Sequence, residues 1–459
     1  MTQLRQNIHG QWSSRWAFIL AATGSAVGLG NIWKFPYMTG QNGGGAFVLV
    51  YLLCVALVGV PIMVAEILAG RRGRQSPINT MRSLAAESAR SPAWQVVGWG
   101  GILAGFLIMS FYSVVAGWAC AYVFNAALGV FSTTPKEAIP GLFDQLLASP
   151  WTLLFWHTLF TAMTVVVVAR GVRSGLEQGV RWMMPALFLL LVLLVGYAMS
   201  TDAFMQGVRF LFEPDFSKIT AEGVLKAMGH SFFTLSLGMG AIMVYGSYLP
   251  QNASIAASTL MIAIADTTAA LLAGLAIFPI VFANGLEPAG GPGLVFQTLP
   301  IAFGAMPGGS FFATLFFVLL VFAAWTSAIS IIEPAVAYLV ENRGLRRPVA
   351  AMVIGTGCWL LGIGALLSFN AWSEFKVFGK TFFDLIDFIA SNIMLPLGGL
   401  AVALFVGWVM RREHVADELA VGQGLGFRAW YFILRYGSPV FVLFLLLYVT
   451  GLIQFASES

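Results

Sequence analysis

GSAVGLGN (Gly24 to Asn31) and TLSLGMGA (Thr234 to Ala241) are glycine-rich stretches embedded in long apolar runs, and they govern how the rest of the chain is read. Glycine weakens a helix by about 1 kcal/mol per residue relative to Ala, so such clusters mark places where helical hydrogen bonding gives way. Small residues also let membrane helices approach closely, which is the competing reading of the same letters. Position discriminates between the two. The runs holding them are the first and the sixth of eleven, so each opens a set of five. An odd offset inverts topology, and two inverted halves with interrupted helices at matching places are the pattern of a secondary transporter.

The surrounding composition agrees with a membrane setting. Of 459 residues, 59% are apolar and 10% are Asp, Glu, Lys or Arg, against roughly 25% charged in soluble domains. A disordered chain would be polar and highly charged. An outer-membrane barrel would alternate in segments of about ten residues. What remains is an all-α polytopic membrane protein. Runs long enough to cross a hydrocarbon core, about 20 residues, lie near 16–38, 43–69, 95–129, 151–169, 176–198, 225–249, 254–283, 310–340, 348–367, 382–410 and 429–455.

The net charge of +4 does not point to nucleic acid, because the basic residues sit in short clusters between apolar runs. They report topology instead. With the N-terminus inside, seventeen arginines fall in inner segments, six Lys or Arg fall in outer loops, and Lys34 lies within the first span. This asymmetry predicts a cytoplasmic N-terminus and an extracellular C-terminus. The expected layout is a cytoplasmic segment 1–15, a first repeat 16–198, an outer loop 199–224, a second repeat 225–411, a cytoplasmic loop 412–428, and a last span with its tail at 429–459. Cys54, Cys120 and Cys358 all lie inside apolar segments and suggest neither disulfides nor a metal site. The N-terminus lacks a cleavable-signal pattern, so the first span is expected to act as its own insertion signal.

GSAVGLGNIWKFPY (Gly24 to Tyr37), NGGGAFVLVY (Asn42 to Tyr51), GVPIMVAE (Gly59 to Glu66), FFTLSLGMGA (Phe232 to Ala241) and AAWTSAISIIEP (Ala323 to Pro334) resemble the neurotransmitter:sodium symporter family. The eleven spans look most like its bacterial multi-hydrophobic amino-acid transporter branch. The resemblance implies the LeuT fold, with a 5+5 inverted repeat and unwound helices 1 and 6, in a bacterial plasma membrane. It also implies sodium-coupled uptake of hydrophobic L-amino acids by alternating access, in a monomer or weak homodimer.

Carried over residue by residue, the resemblance implies two sodium sites. The first would use Ala26, Asn31, Thr234 and Asp266 together with the substrate carboxylate. The second would use Gly24, Val27, Ala323, Thr326 and Ser327. All supply oxygen, as a hard cation requires. The substrate carboxylate would meet Leu29, Gly30 and Tyr112, and its amine would meet Ala26, Phe233, Thr234 and Ser236. Ile108, Tyr112, Phe233, Met239, Ser327 and Ile331 would line the side-chain pocket. Gly28 stands where amine-transporting relatives carry an acid, so an amino acid is the expected substrate. Asp266 supplies a negative charge where many animal relatives use chloride, which implies chloride-independent transport.

Ionisable side chains at membrane depth cost at least about 2.5 kcal/mol on insertion scales, so each is a functional candidate. Lys34 and Asp387 match the family's outer gate above Phe233 and Tyr112, with Asp384 as a competitor for Lys34. For the inner gate, Arg5 or His9 would pair with Glu341 near Trp12, Ser247 and Tyr248. Glu66 and Glu333 are expected to support broken backbone near the two sites. His230 faces the outer vestibule, either touching the gate or satisfied by local polar groups. Gly175 and Pro185 match the family's G-x9-P element, where the cytoplasmic end of span five can unwind; a static proline kink is the alternative. A proton-coupled permease or a non-transporting receptor on the same fold are the rival readings. No catalytic constellation argues for an enzyme.

Overall fold

The computed structural model describes residues 8–287, 293–420 and 424–453, and among them the chain is helical, with only two isolated β-bridges, Gly44 to Pro214 and Val377 to Lys380. Arg5 lies outside the described residues. Helices are numbered here in chain order. α1 is in two pieces, Arg15–Ala26 and Gly30–Gln41, bent by 47° at the break. Then come α2 (Gly45–Gly73), α3 (Pro92–Ala127), α4 (Pro150–Ala169) and α5 (Val172–Ala198). α6 is again in two pieces, Ala221–Thr234 and Ala241–Ser247. α7 (Ile255–Ala283), α8 (Gly309–Arg343), α9 (Arg347–Leu367), α10 (Phe382–Val409) and α11 (Leu425–Val449) follow.

By length and apolarity, nine helices among the described residues can cross a bilayer, or ten if the bent α1 is one span. The sixth expected span is not among them, because its pieces have 14 and 7 residues. Helix ends also differ from the apolar runs: α5 begins at Val172 and α11 ends at Val449. Polar residues can extend a helix past the hydrocarbon, where hydropathy no longer reports it.

α3 and α8 are buried through their middles and cross where Gly105 packs on helix α8: a Cβ at Gly105 would lie 3.0 Å from the Ile331 carbonyl. The two broken helices lie against this pair. The break in α6 rests on α10, where Gly238, at φ +80°, touches the Leu395 backbone so closely that no side chain fits. Tight packing at the break, and a left-handed backbone only glycine adopts freely, both require this residue. Near Gly175, where span five is expected to be able to unwind, the helix opens with a wider turn. Val172–Glu177 is a π-helical turn that runs directly into the regular helix Gln178–Ala198, with Pro185 inside it. A wider turn keeps backbone bonds made while leaving a local weak point.

Candidate functional site

The α1 helix stops at Ala26 because Val27 turns extended (φ −72°, ψ 98°), and it restarts at Gly30. Asn31 stitches the break, its side-chain oxygen accepting the Gly28 N–H at 3.1 Å. The α6 break is held by three residues at positive φ, Ser236 (+54°), Gly238 (+80°) and Gly240 (+77°). Ser236 tolerates that strain because its hydroxyl donates to the Ser25 carbonyl at 2.7 Å, tying one break to the other. The Glu66 carboxylate accepts the Gly238 N–H at 2.7 Å, so a buried acid replaces the helical partner that this amide has lost.

Between the two breaks lies Asp266 of α7, fully buried. Its carboxylate accepts from Asn31 Nδ2 at 2.8 Å, Thr234 Oγ1 at 3.0 Å and the Tyr51 hydroxyl at 3.3 Å. No Lys, Arg or His pairs with it among the described residues. Three of the four residues expected at the first sodium site therefore meet in one hydrogen-bonded cluster, beside Ala26 at the end of the helix. At the second expected site, Ser327 Oγ lies 3.3 Å from the Gly24 carbonyl and 3.5 Å from that of Val27. Thr326 Oγ1 lies 3.1 Å from the carbonyl of Ala323. Ser327 thus bridges α8 to the α1 break, while the Thr326 contact to Ala323 lies within α8 itself.

Beside them a small cavity of ≈ 20 Å³ is lined by Ala26, Gly30, Ile108, Tyr112, Phe233, Thr234, Ser236, Met239, Ser327 and Ile331. Leu29 is not in its wall, but its N–H points to the Tyr112 hydroxyl at 3.3 Å, so the two donors expected for a carboxylate converge. Ser25 also lines the cavity and was missed in the sequence. Its hydroxyl meets that of Ser330 at 2.7 Å, and its carbonyl accepts from both Ser236 and Ser327. The only sequence signal was a polar residue within the first glycine cluster.

Toward the outer side, Lys34 and Asp387 make no ion pair among the described residues. The Lys34 ammonium sits 4.6 Å from the Phe233 ring centroid, and Asp387 accepts the Ser391 hydroxyl at 2.6 Å. Asp384 does not compete for Lys34, because it accepts the Thr381 hydroxyl at 2.7 Å and receives no cation. His230 departs from the expectation of local satisfaction. Neither ring nitrogen has a hydrogen-bond partner, and the ring is flanked by Phe35 and Tyr51, at centroid distances of 6.1 and 5.4 Å.

The side expected to face the cytoplasm is closed by packing. Trp12 is 1% exposed, donates from Nε1 to the Tyr245 carbonyl at 3.0 Å, and meets Tyr245 and Tyr248 edge-on. His9 Nε2 lies 3.0 Å from Glu341 Oε1. The same carboxylate accepts the Ser76 N–H at 2.7 Å, the Ser76 hydroxyl at 2.5 Å and Asn79 Nδ2 at 2.7 Å. Ser76 and Asn79 were not anticipated, since nothing local links them to a residue more than 260 positions away. The Ser247 hydroxyl donates to the Val244 carbonyl at 2.7 Å. Glu333 differs from expectation too. It supports no broken backbone, but accepts the Tyr248 hydroxyl at 2.7 Å and pairs with Arg347 at 2.5 Å. Arg347 at the start of α9 supplies the cation that compensates this buried carboxylate.

Glu341→Ala leaves the donors of Ser76 and Asn79 without their acceptor, at about 1–3 kcal/mol for a buried group. The expected outcome is at least a several-fold rise in amide hydrogen exchange of residues 9–14; unchanged exchange would remove Glu341 from the closure.

Comparison with known proteins now bears on this geometry. The profile described as "Sodium:neurotransmitter symporter family" matches residues 9–133 and 142–459. The chain belongs to that family. An uncharacterized sodium-dependent transporter of Bacillus subtilis (strain 168) is 40% identical over 97% of this chain and 98% of its own length. Another from Haemophilus influenzae is 34% identical over 94% and 96%. The crystal structure of MhsT in complex with L-phenylalanine superposes with a TM-score of 0.90 at 42% identity, covering 96% of this chain and 99% of that one. This family member has the LeuT fold and is a sodium-dependent transporter, not an enzyme.

Proposed function

We propose that this transporter is a symporter that couples inward sodium flow to uptake of hydrophobic L-amino acids, aliphatic and aromatic, without chloride. The observation that carries this reading is the buried Asp266 carboxylate, which receives three neutral donors and, among the described residues, no cationic side chain where two helices break. An uncompensated charge in such a place is costly, so a cation completes the cluster. Sodium at Ala26, Asn31, Thr234 and Asp266 would then touch the substrate carboxylate held by Leu29, Gly30 and Tyr112. A second sodium at Gly24, Val27, Ala323, Thr326 and Ser327 would tie α1 to α8. Both lie at helix breaks, where carbonyls are free to coordinate.

The apolar wall of Ile108, Phe233, Met239 and Ile331 suits a hydrophobic side chain, with Met239 adaptable to several shapes. The structure of MhsT in complex with L-phenylalanine supports the substrate class. Alternating access would open the Lys34, Asp387, Tyr112 and Phe233 side while the His9, Trp12 and Glu341 side stays shut, and then reverse. Residues 16–198 and 225–411 are the two repeats. The basic asymmetry supports a cytoplasmic N-terminus and an external C-terminus, in the plasma membrane of a bacterium, with one chain, as a monomer or in a weak homodimer, forming a complete pathway.

The test is uptake of leucine, tryptophan, tyrosine and glycine by proteoliposomes under separately imposed sodium, proton and chloride gradients. Sodium-driven accumulation of the larger apolar substrates, indifferent to chloride, is expected. Accumulation driven by protons without sodium would overturn the reading in favour of a proton-coupled permease.

A further inference from the structure

At the start of α5, Arg173, Glu177, Gln178, Arg181 and Trp182 line one surface concavity of ≈ 550 Å³. Arg173, Gln178 and Arg181 are exposed. Trp182 is 74% exposed, and beyond it the same helix presents Leu189 and Val192, 60% and 55% exposed. Exposed apolar residues along a membrane helix face lipid chains, and a Trp at their end marks the headgroup level. Two arginines at that level form the counterpart of a phosphate. Glu177 offsets one of these charges but is directed to the N–H of Ser13, at 2.9 Å, and to the Ser13 hydroxyl, so the lining keeps a net positive charge.

We infer that this concavity binds the headgroup phosphate of an anionic phospholipid in the cytoplasmic leaflet, with the acyl chains along Leu189 and Val192. The inference rests on the membrane orientation proposed above. Its consequence is regulatory, because Arg173 also donates from Nε to the Gln11 carbonyl at 3.0 Å. Gln11 and Ser13 flank Trp12, which plugs the inner pathway, and both are held by the π-helical turn that opens α5. A phosphate beside Arg173 competes with the Gln11 carbonyl for the guanidinium. Binding of the lipid therefore slackens the hold on Trp12 and favours inward opening.

The full chain is reconstituted in phosphatidylcholine vesicles, with or without added phosphatidylglycerol. Retained lipid is counted by native mass spectrometry, and amide exchange of residues 11–14 is followed in the same vesicles. At about 1 kcal/mol per basic residue near an anionic surface, retention of phosphatidylglycerol should exceed that of phosphatidylcholine by roughly ten-fold or more, and exchange of 11–14 should quicken with it. Arg181→Gln, which leaves the Arg173 bond to Gln11 in place, should lower that retention about five-fold and abolish the exchange response. Arg209→Gln, at an exposed arginine far along the chain beside Glu213, should change neither. Equal retention by wild type and Arg181→Gln overturns the proposal. So does inorganic phosphate reproducing the exchange response in phosphatidylcholine alone, which would mark a free-anion site. Lipid retention needs no substrate, so this result is independent of which solute is carried.

Discussion

Asp266→Asn is expected to raise the sodium concentration for half-maximal uptake by about two orders of magnitude and to make transport respond to chloride. The carboxylate is fully buried and receives only neutral donors, from Asn31, Thr234 and Tyr51. Opposite unit charges about 4 Å apart interact by about 4 kcal/mol at an effective dielectric near 20, and part of that is recovered by relaxation around the neutral amide. Asn keeps the shape and most of the hydrogen bonds, so the loss isolates charge from packing. An anion able to enter beside Tyr51 and Thr234 would restore the missing charge. The measurement is initial uptake rate against sodium concentration, with chloride or gluconate as the counter-ion. A half-saturation value unchanged by the substitution would remove Asp266 from the ion site.

Gly28→Ala is expected to weaken amino-acid binding by about a hundred-fold while leaving the fold intact. A Cβ at this position would run into Ser327 Oγ and lie 3.0 Å from the Tyr112 hydroxyl. Both are rigid neighbours: Ser327 is anchored to carbonyls of α1, and Tyr112 receives the Leu29 N–H. The added methyl therefore pushes apart the groups that would hold the substrate carboxylate and the second sodium. Overpacking of this kind costs about 1–3 kcal/mol, and a misplaced carboxylate loses the charge-assisted bonds as well. Binding should weaken by about a hundred-fold, with the thermal midpoint in detergent lowered by only a few degrees. Retained affinity for leucine or phenylalanine would show that the substrate does not lie against Gly28.

The contacts around Glu341 and Asp266 show where reading along the chain succeeds and where it stops. The two breaks were legible because each rests on local chemistry, glycine clustered within an apolar run. Asp266 and Glu66 stood out for the same reason, as acids where the neighbouring letters are apolar. By contrast, Ser76, Asn79 and Ser25 are small polar residues of ordinary type, and only their neighbours in space make them informative. Lys34 illustrates a subtler case: the letters suggest a charge pair with Asp387, whereas the folded chain sets the ammonium over the Phe233 ring. A single flexible ammonium chooses among nearby partners by a few tenths of an ångström of backbone position, and that choice is not encoded in its own segment.

The order of amino acids alone therefore dictates the membrane setting, the approximate spans, and the two places where helices must give way. These follow from run length, charge asymmetry and glycine clustering, which act over a few turns of chain. Which polar groups meet at the breaks depends on the assembled helices. Ser25 reaches Ser330 across 305 residues, and Asn31 reaches Asp266 across 235. Hydrogen bonds form only at about 3 Å, so the packing of α1, α6, α7 and α8 chooses the partners that sequence spacing leaves open.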